Sequence, residues 1–432
     1  MVTMESIFSY KNLLLATEQV IANKGAAGTD GLTVDDIKPW FRAHPHKLTK
    51  EIMEGTYQFH PIKRVYIPKS DGKQRPLGIP SVIDRVVQQA IAITLSEEYD
   101  NTFSNGSYGF RPNKSGHDAV KAVTAYLNMG YTYVIDLDLK SFFDTVNHAY
   151  LLRLLARRIK DCRVLKLINK ILKTKIVDDE EIIKPRQGLT QGAPCSPILA
   201  NILLDLLDKE LERRGHKFCR YADDVVILCK SQTAAERTYV SISKFIEGEL
   251  HLTINREKTQ VGRLNADMKY LGFGFYKTNP KDGKKGEYRP TVHKKAKKNL
   301  RDKLRGMLNK KCPEGIEEAR EQFNQYMMGW AHYFALGING SNMKDTEAWI
   351  RHKIRAIYLK AWKRNGTIDR ELRSLKTNSR NQCFTVANCS LGIWAKAALA
   401  NYVITKEIIH SMWGWKSIQD IVKSKAWTAL GY

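Results

Sequence analysis

Two acidic elements in the 432 residues could do chemistry together. The first is Tyr133-Val134-Ile135-Asp136-Leu137-Asp138-Leu139. Strand alternation puts Tyr133, Ile135, Leu137 and Leu139 on one apolar face and leaves Val134, Asp136 and Asp138 on the other. A carboxylate on a strand that otherwise reads as buried is costly unless it is paired or bound to metal. The second element is Cys219-Arg220-Tyr221-Ala222-Asp223-Asp224-Val225-Val226-Ile227-Leu228, where an Asp-Asp pair before an apolar run signals a hairpin. Read alone it is an ordinary turn. If the two strands are neighbours, Asp138, Asp223 and Asp224 gather at one point, and three such charges are tolerable only around divalent cations. Hard oxygen ligands suit magnesium. Two such ions, roughly 3.5 to 4 Å apart, clamp the attacking and leaving oxygens of a displacement at phosphorus. The acids therefore point to nucleotidyl transfer with Mg2+ (two ions).

Positioning these acids requires a mixed framework. The first fifty residues read as helical, with Leu13, Leu14, Ala16 and Val20 at helical spacing before a Gly-rich loop at 25–31. Residues 57–275 alternate β-rich runs (64–67, 133–139, 225–228) with helical stretches (86–95, 150–159, 198–211), an α+β or α/β pattern. A Gly-, Pro- and Lys-rich break at 278–290 precedes a helical remainder.

The chain carries 70 Lys and Arg against 45 Asp and Glu, a net charge of +25, with globular hydrophobic content of 43%. That excludes wholesale disorder and makes nucleic acid the leading partner, with an anionic membrane surface second. No apolar run approaches the roughly 18 residues of a spanning helix, and the N-terminus lacks a basic leader and cleavage site. Seven scattered cysteines without a CxxC pair fit reduced thiols, and a cytoplasmic, non-membrane protein is expected. Residues 281–310 hold 12 Lys/Arg against 3 Asp/Glu, and residues 351–380 hold 10 against 2, so 17 of the 25 excess charges lie there. In IRHKIRAIYLKAWKR, Ile350, Ile354, Ile357 and Ala361 form one face while Arg351, Lys353, Arg355, Lys360 and Arg364 point elsewhere. Ten cations offset by two acids read as nucleic-acid contact more than as a solvated face.

Tyr221-Ala222-Asp223-Asp224 resembles the YxDD box of reverse transcriptases, and Asp138 with Phe143 resembles their first palm motif. IPKSDGKQRPLGIPSVIDRVVQQAI (67–91), YGFRPNKSGHDAV (108–120), QGLTQGAPCSPILANILL (187–204), LTINREKTQV (252–261) and YLGFGF (270–275) follow the same family's order. With NKGAAGTDGLTVDD (23–36), GWAHYF and WIRHKIRAIYLKAWKR, the chain resembles the bacterial group II intron reverse transcriptase/maturases over almost its whole length.

The resemblance implies a right-hand polymerase of α+β class, with a ferredoxin-like palm. Its parts would be an N-terminal extension (1–50), fingers and palm (51–285), an all-α thumb or domain X (286–375) and a small DNA-binding region (376–432). By the same resemblance Asp138 and Asp223 hold both ions, with Asp224 and the Leu139 carbonyl in support. Lys69 and Arg75 contact the incoming triphosphate, though a solvated basic turn explains them as well. Phe143 is the gate against a ribose 2′-hydroxyl, Gln191 and Gly192 lie beside the nascent base pair, and Lys258 is a candidate acid for pyrophosphate, or part of a cap turn. Lys297, Lys298, Arg301, Arg305, Arg351 and Arg355 are candidate nucleic-acid contacts. His148 reads as an orienting residue and 178–181 as a solvated loop. The implied partners are group II intron RNA, an RNA template with a DNA primer, deoxynucleoside triphosphates and a DNA target. The sequence shows no Cys/His pairs of the HNH nuclease found in longer members, so second-strand cleavage is not expected. Two other readings stay open: a non-catalytic RNA-binding splicing factor, and a domesticated relative in DNA repair or phage defence.

Overall fold

The computed structural model describes residues 2–68, 72, 74–279, 286–309, 315–339, 341–375 and 380–424. The chain divides into two compact units, Met1–Leu264 and Asn265–Tyr432.

In the first unit the β-rich runs become β1 (Ile62–Pro68), β2 (Gln74–Ile79), β3 (Tyr133–Leu137), β4 (Ile176–Asp178), β5 (Glu181–Ile183), β6 (Lys217–Tyr221), β7 (Asp224–Cys229) and β8 (Gln260–Arg263). They form two four-stranded sheets, ordered β2-β1-β4-β5 and β6-β7-β3-β8. In the second sheet β3 lies between β7 and β8, with Ile135 opposite both Ile227 and Val261. β3 and β7 are thus adjacent, as the sequence suggested, with Asp138 just past the end of β3 and Asp224 at the start of β7. Val134, on the face shared with the acids, is also buried, so that face opens only toward Asp138. The strand ends at Leu137, and Leu139 makes an isolated bridge to Ile254.

Two long helices run almost wholly inside the core. Val82–Tyr99 starts at Ser81, whose hydroxyl accepts from the Asp84 N–H at 3.3 Å, and Ser196–Arg213 carries Pro197 in its first turn. The polar positions of the second are occupied: Asn201 donates to the Gly109 carbonyl at 2.9 Å, and Asp205 accepts from the Ser104 N–H at 3.1 Å. In residues 178–181, read as a solvated loop, Asp179, Glu180 and Glu181 are exposed as expected, but Asp178 is held. The segment joins β4 to β5, and Asp178 accepts from the Tyr66 hydroxyl at 2.6 Å.

The second unit opens with a hairpin, β9 (Phe273–Lys277) and β10 (Tyr288–Val292), in which Phe273 faces Val292. The break expected at 278–290 therefore lies within a hairpin, though 280–285 are outside the described residues. Helices Lys294–Met307, Ile316–Phe334 and Lys344–Trp362 follow, then shorter ones to Ile418–Lys423. Trp415 is fully buried, edge-on to Phe323 at 5.3 Å, and Trp413 stacks on Tyr358 at 3.7 Å. Trp415 is thus core, and Trp413 is half-buried beside it. Trp394 is 42% exposed, and Trp427 lies outside the described residues.

The amphipathic reading of 350–364 needs two corrections: Ala361, placed on the buried face with Ile350, Ile354 and Ile357, is exposed, and Arg355, placed off that face, is buried. Arg355 is 3% exposed, and its Nε donates to the Ile404 carbonyl at 2.8 Å. Helix Lys344–Trp362 also packs against Ile393–Leu399 and Asn365–Ser374, so part of the side assigned to nucleic acid is covered, while Lys360 and Arg364 stay exposed. Burial beside Arg351 pushes the Arg355 guanidinium down to about 10. Among the described residues no helix is long and apolar enough to cross a membrane.

Candidate active site

A cleft of about 640 Å³ in the first unit is lined by Arg75, Phe143, Gln191, Gly192, Asp223 and Asp224 among others. These six come from widely separated stretches of sequence. Arg75 stands exposed on β2 opposite Ile67. Lys69, its companion in the sequence reading, lies outside the described residues.

Asp223 sits in the two-residue turn joining β6 to β7, since Tyr221 pairs with Asp224. Ala222 has φ 57°, a strained value for a residue with a Cβ. A buried cation holds the strained turn. Arg220 is fully buried and donates from Nε and Nη2 to Asp208, with the shortest contact 2.6 Å. Its Nη1 donates to the Asn201 side chain at 2.9 Å and to the Ala222 carbonyl at 3.0 Å. Nη2 also reaches the Ser107 hydroxyl at 2.8 Å. Burial pushes the Asp208 carboxyl up while Arg220 pulls it down, so the guanidinium compensates a charge that could not otherwise stay inside. Gly109 completes the support: a Cβ there would stand 2.4 Å from the Ala222 nitrogen. The sequence reading overlooked this network. Its signal was a cation inside an apolar strand, with Asn201 and Asp208 seven residues apart on one helix face.

Asp138 projects just beyond β3. Its N–H donates to the Thr259 hydroxyl at 3.2 Å, and its carbonyl accepts from the Asn255 N–H at 2.8 Å. Lys258 Nζ lies 3.7 Å from the Asp138 carboxylate. Among the described residues no three His, Cys, Asp or Glu side chains meet closely enough to hold a metal by themselves. The expected convergence of three carboxylates is thus looser than the pattern suggested. Lys258 offsets the charge of Asp138. Asp223 and Asp224 on the cleft wall, with Asp138 on the adjacent strand, still fit an ion that takes one or two carboxylates and fills its shell with water and phosphate oxygens.

Gly192 has φ 99°, and a Cβ there would come within 2.7 Å of the Gly78 carbonyl oxygen. The neighbouring Gln191 carbonyl accepts from the Gly78 N–H at 2.7 Å. This ties the cleft floor to β2, the strand that carries Arg75. Arg85, mostly buried, holds the N-terminal loop at the cleft edge by donating to the Pro80 carbonyl at 2.9 Å and to the Ala26 carbonyl.

In the second unit Lys298 and Arg305 are exposed, whereas Lys297 and Arg301 are half-buried. Lys297 donates to the Asn342 carbonyl at 2.9 Å. Arg301, Arg305 and Lys353 all lie within 6 Å of the Trp349 ring. Arg351 pairs with Glu347 at 3.8 Å.

Residues 67–275 match the family described as reverse transcriptase (RNA-dependent DNA polymerase), and residues 297–375 match the group II intron maturase-specific domain. Protein YkfC of Escherichia coli (strain K12) is 34% identical over 297 residues, 60% of this chain and 78% of that protein. The group II intron-encoded protein LtrA of Lactococcus lactis subsp. cremoris is 28% identical over 324 residues, 60% of this chain and 54% of that one. A putative COX1/OXI3 intron 2 protein of Saccharomyces cerevisiae is 29% identical over 321 residues, again 60% of this chain but 37% of the yeast protein. The chain thus spans about half the length, or less, of these two intron-encoded relatives. Among solved structures, a chain of a partial Cas6-RT-Cas1--Cas2 complex aligns with TM-score 0.37 at 26% identity, covering 57% of this chain and 42% of that one.

Proposed function

The chain belongs to the reverse transcriptase family of the group II intron maturase type, and from that premise we propose that it copies RNA into DNA and binds a group II intron RNA to promote splicing and mobility. The observation that carries the polymerase reading is the one cleft lined together by Gln191 and Gly192, the Arg75 cation, Phe143 and the acids Asp223 and Asp224.

Each residue has work that its position suits. Arg75 offers a planar fork to the triphosphate of an incoming deoxynucleotide. Phe143 fills the space that a ribose 2′-hydroxyl needs. Gly192 lets the backbone approach the nascent base pair, with Gln191 beside it. Asp138 and Asp223, supported by Asp224 and the Leu139 carbonyl, would hold magnesium. Such ions lower the pKa of the primer 3′-hydroxyl and offset charge on the triphosphate when bound. Lys258, beside Asp138, is placed to give a proton to departing pyrophosphate. The Arg220 network holds the Asp223 turn ready before substrate arrives, which is what electrostatic preorganisation requires.

The exposed cations of the second unit, Lys298 and Arg305, present charge to RNA phosphates, and RNA duplexes are recognised largely through phosphates and 2′-hydroxyls. The RNA template, DNA primer and DNA target are partners on the same reading. Primer extension on an RNA template tests the core of it. Asp223→Asn is expected to abolish magnesium-dependent extension while leaving the far-ultraviolet circular dichroism spectrum unchanged. Near-normal extension would remove Asp223 from the catalytic centre.

A further inference from the structure

Phe143 lines two spaces, the main cleft and a second cavity of about 300 Å³ that also touches Leu172, Ile176 and Gly188. The side chain is only partly buried at the margin of the hydrophobic core, so packing restrains it less than it would a fully enclosed ring. Its aromatic contact is an edge-on one with Phe142 at 5.3 Å. Phe143 sits in Phe142–Thr145, a four-residue helix that starts from Ser141 at φ 47°. One helical turn does not sustain itself, so the position of the ring depends on what holds its backbone.

Gly188, Leu189 and one buried imidazole hold it. The Leu189 N–H donates to the Phe143 carbonyl at 2.5 Å, and the Gly188 N–H donates to the Val146 carbonyl at 2.8 Å. The Gly188 carbonyl lies 2.7 Å from His148 Nε2, which donates to it, and His148 is 5% exposed. Gly188 has φ 96°, and a Cβ there would come within 3.0 Å of both the Phe143 and Asp144 carbonyl oxygens. Burial lowers the His148 pKa, so the ring is neutral at neutral pH and places its one proton on Nε2, where the carbonyl needs a donor.

We propose that His148 and Gly188 are positioning residues that set the discrimination between deoxyribose and ribose by clamping the backbone of Phe143. This rests on Phe143 being the sugar gate. Loosening the clamp lets the ring retreat toward the second cavity and admits a 2′-hydroxyl.

The test compares kcat/KM for a deoxynucleoside triphosphate and the matching ribonucleoside triphosphate, during primer extension on an RNA template. Phe143→Val is the reference for the gate. His148→Leu and Gly188→Ala are each expected to lower discrimination roughly tenfold, and His148→Gln, which keeps a donor for the Gly188 carbonyl, restores most of it. A structural role alone would lower both rates together and leave their ratio fixed. If Phe143→Val collapses the ratio while His148→Leu and Gly188→Ala leave it at the wild-type value, the clamp is refuted and the gate stands. If Phe143→Val itself leaves the ratio unchanged, the gate reading falls and the clamp with it. Should His148→Leu fail to fold, Gly188→Ala decides the question.

Discussion

The two units use the same residue types in opposite ways. Residues 1–264 hold 38 Lys and Arg against 31 Asp and Glu, and residues 265–432 hold 32 against 14. In the first, informative cations point inward: Arg220 is sealed against Asp208, and Arg111 pairs with Asp100 at 2.7 Å while also donating to the Ser104 and Ser107 carbonyls. In the second, Lys298 and Arg305 face solvent, and three cations crowd one indole. A buried guanidinium has several fixed donors and one geometry, so it positions a turn. An exposed cation is screened and mobile, so it contributes charge to a polyanion and little to the fold. Arg355 breaks the pattern: it lies in the basic unit but behaves like Arg220.

That contrast can be broken by substitution. Arg220→Met should have the largest effect, because it strands the Asp208 carboxylate; a loss on the order of 3–5 kcal/mol is expected, read as a lower urea midpoint, with extension activity falling in parallel. A variant as stable as the wild type would show that the turn holds itself. Asp205 comes next. Burial raises its carboxyl to about 6, and its side chain is 16% exposed. The native state therefore binds a proton more tightly than the unfolded chain, so this group's contribution is greatest below pH 4 and declines as pH rises toward 6. Asp205→Asn should flatten that decline, an effect of at most about 3 kcal/mol, measured as the urea midpoint at pH 4 and pH 7. The smallest effect belongs to the exposed pair: Lys298→Ala with Arg305→Ala should leave the melting temperature within about 2 °C and lower the salt slope of RNA binding by roughly one. An unchanged slope would take these two cations out of the interface.

Much of the site was legible because its signals are local. Acids in an apolar strand and an Asp-Asp pair before Val-Val-Ile-Leu are pattern statements, and β3 and β7 pair as the patterns required. Residues whose partners are distant in the chain were less legible. Periodicity sorted Arg355 to the nucleic-acid side because it records one helix face and cannot see the neighbouring helices that cover another. Asp178 read as a loop acid because its partner, Tyr66, is 112 residues away. His148 read only as an orienting residue, and what it orients became visible once Gly188, 40 residues on, was seen at its Nε2.

The strands that flank the acids, the excess of positive charge and the chemistry available to Asp138, Asp223 and Asp224 were determined by the sequence alone, because side-chain type and local spacing settle which groups can ionise and which face they share. Tertiary structure decided how closely those acids meet, which cations are buried and what holds Phe143. These depend on hydrogen bonds and excluded volume between segments far apart in the chain, and no local pattern encodes such distances.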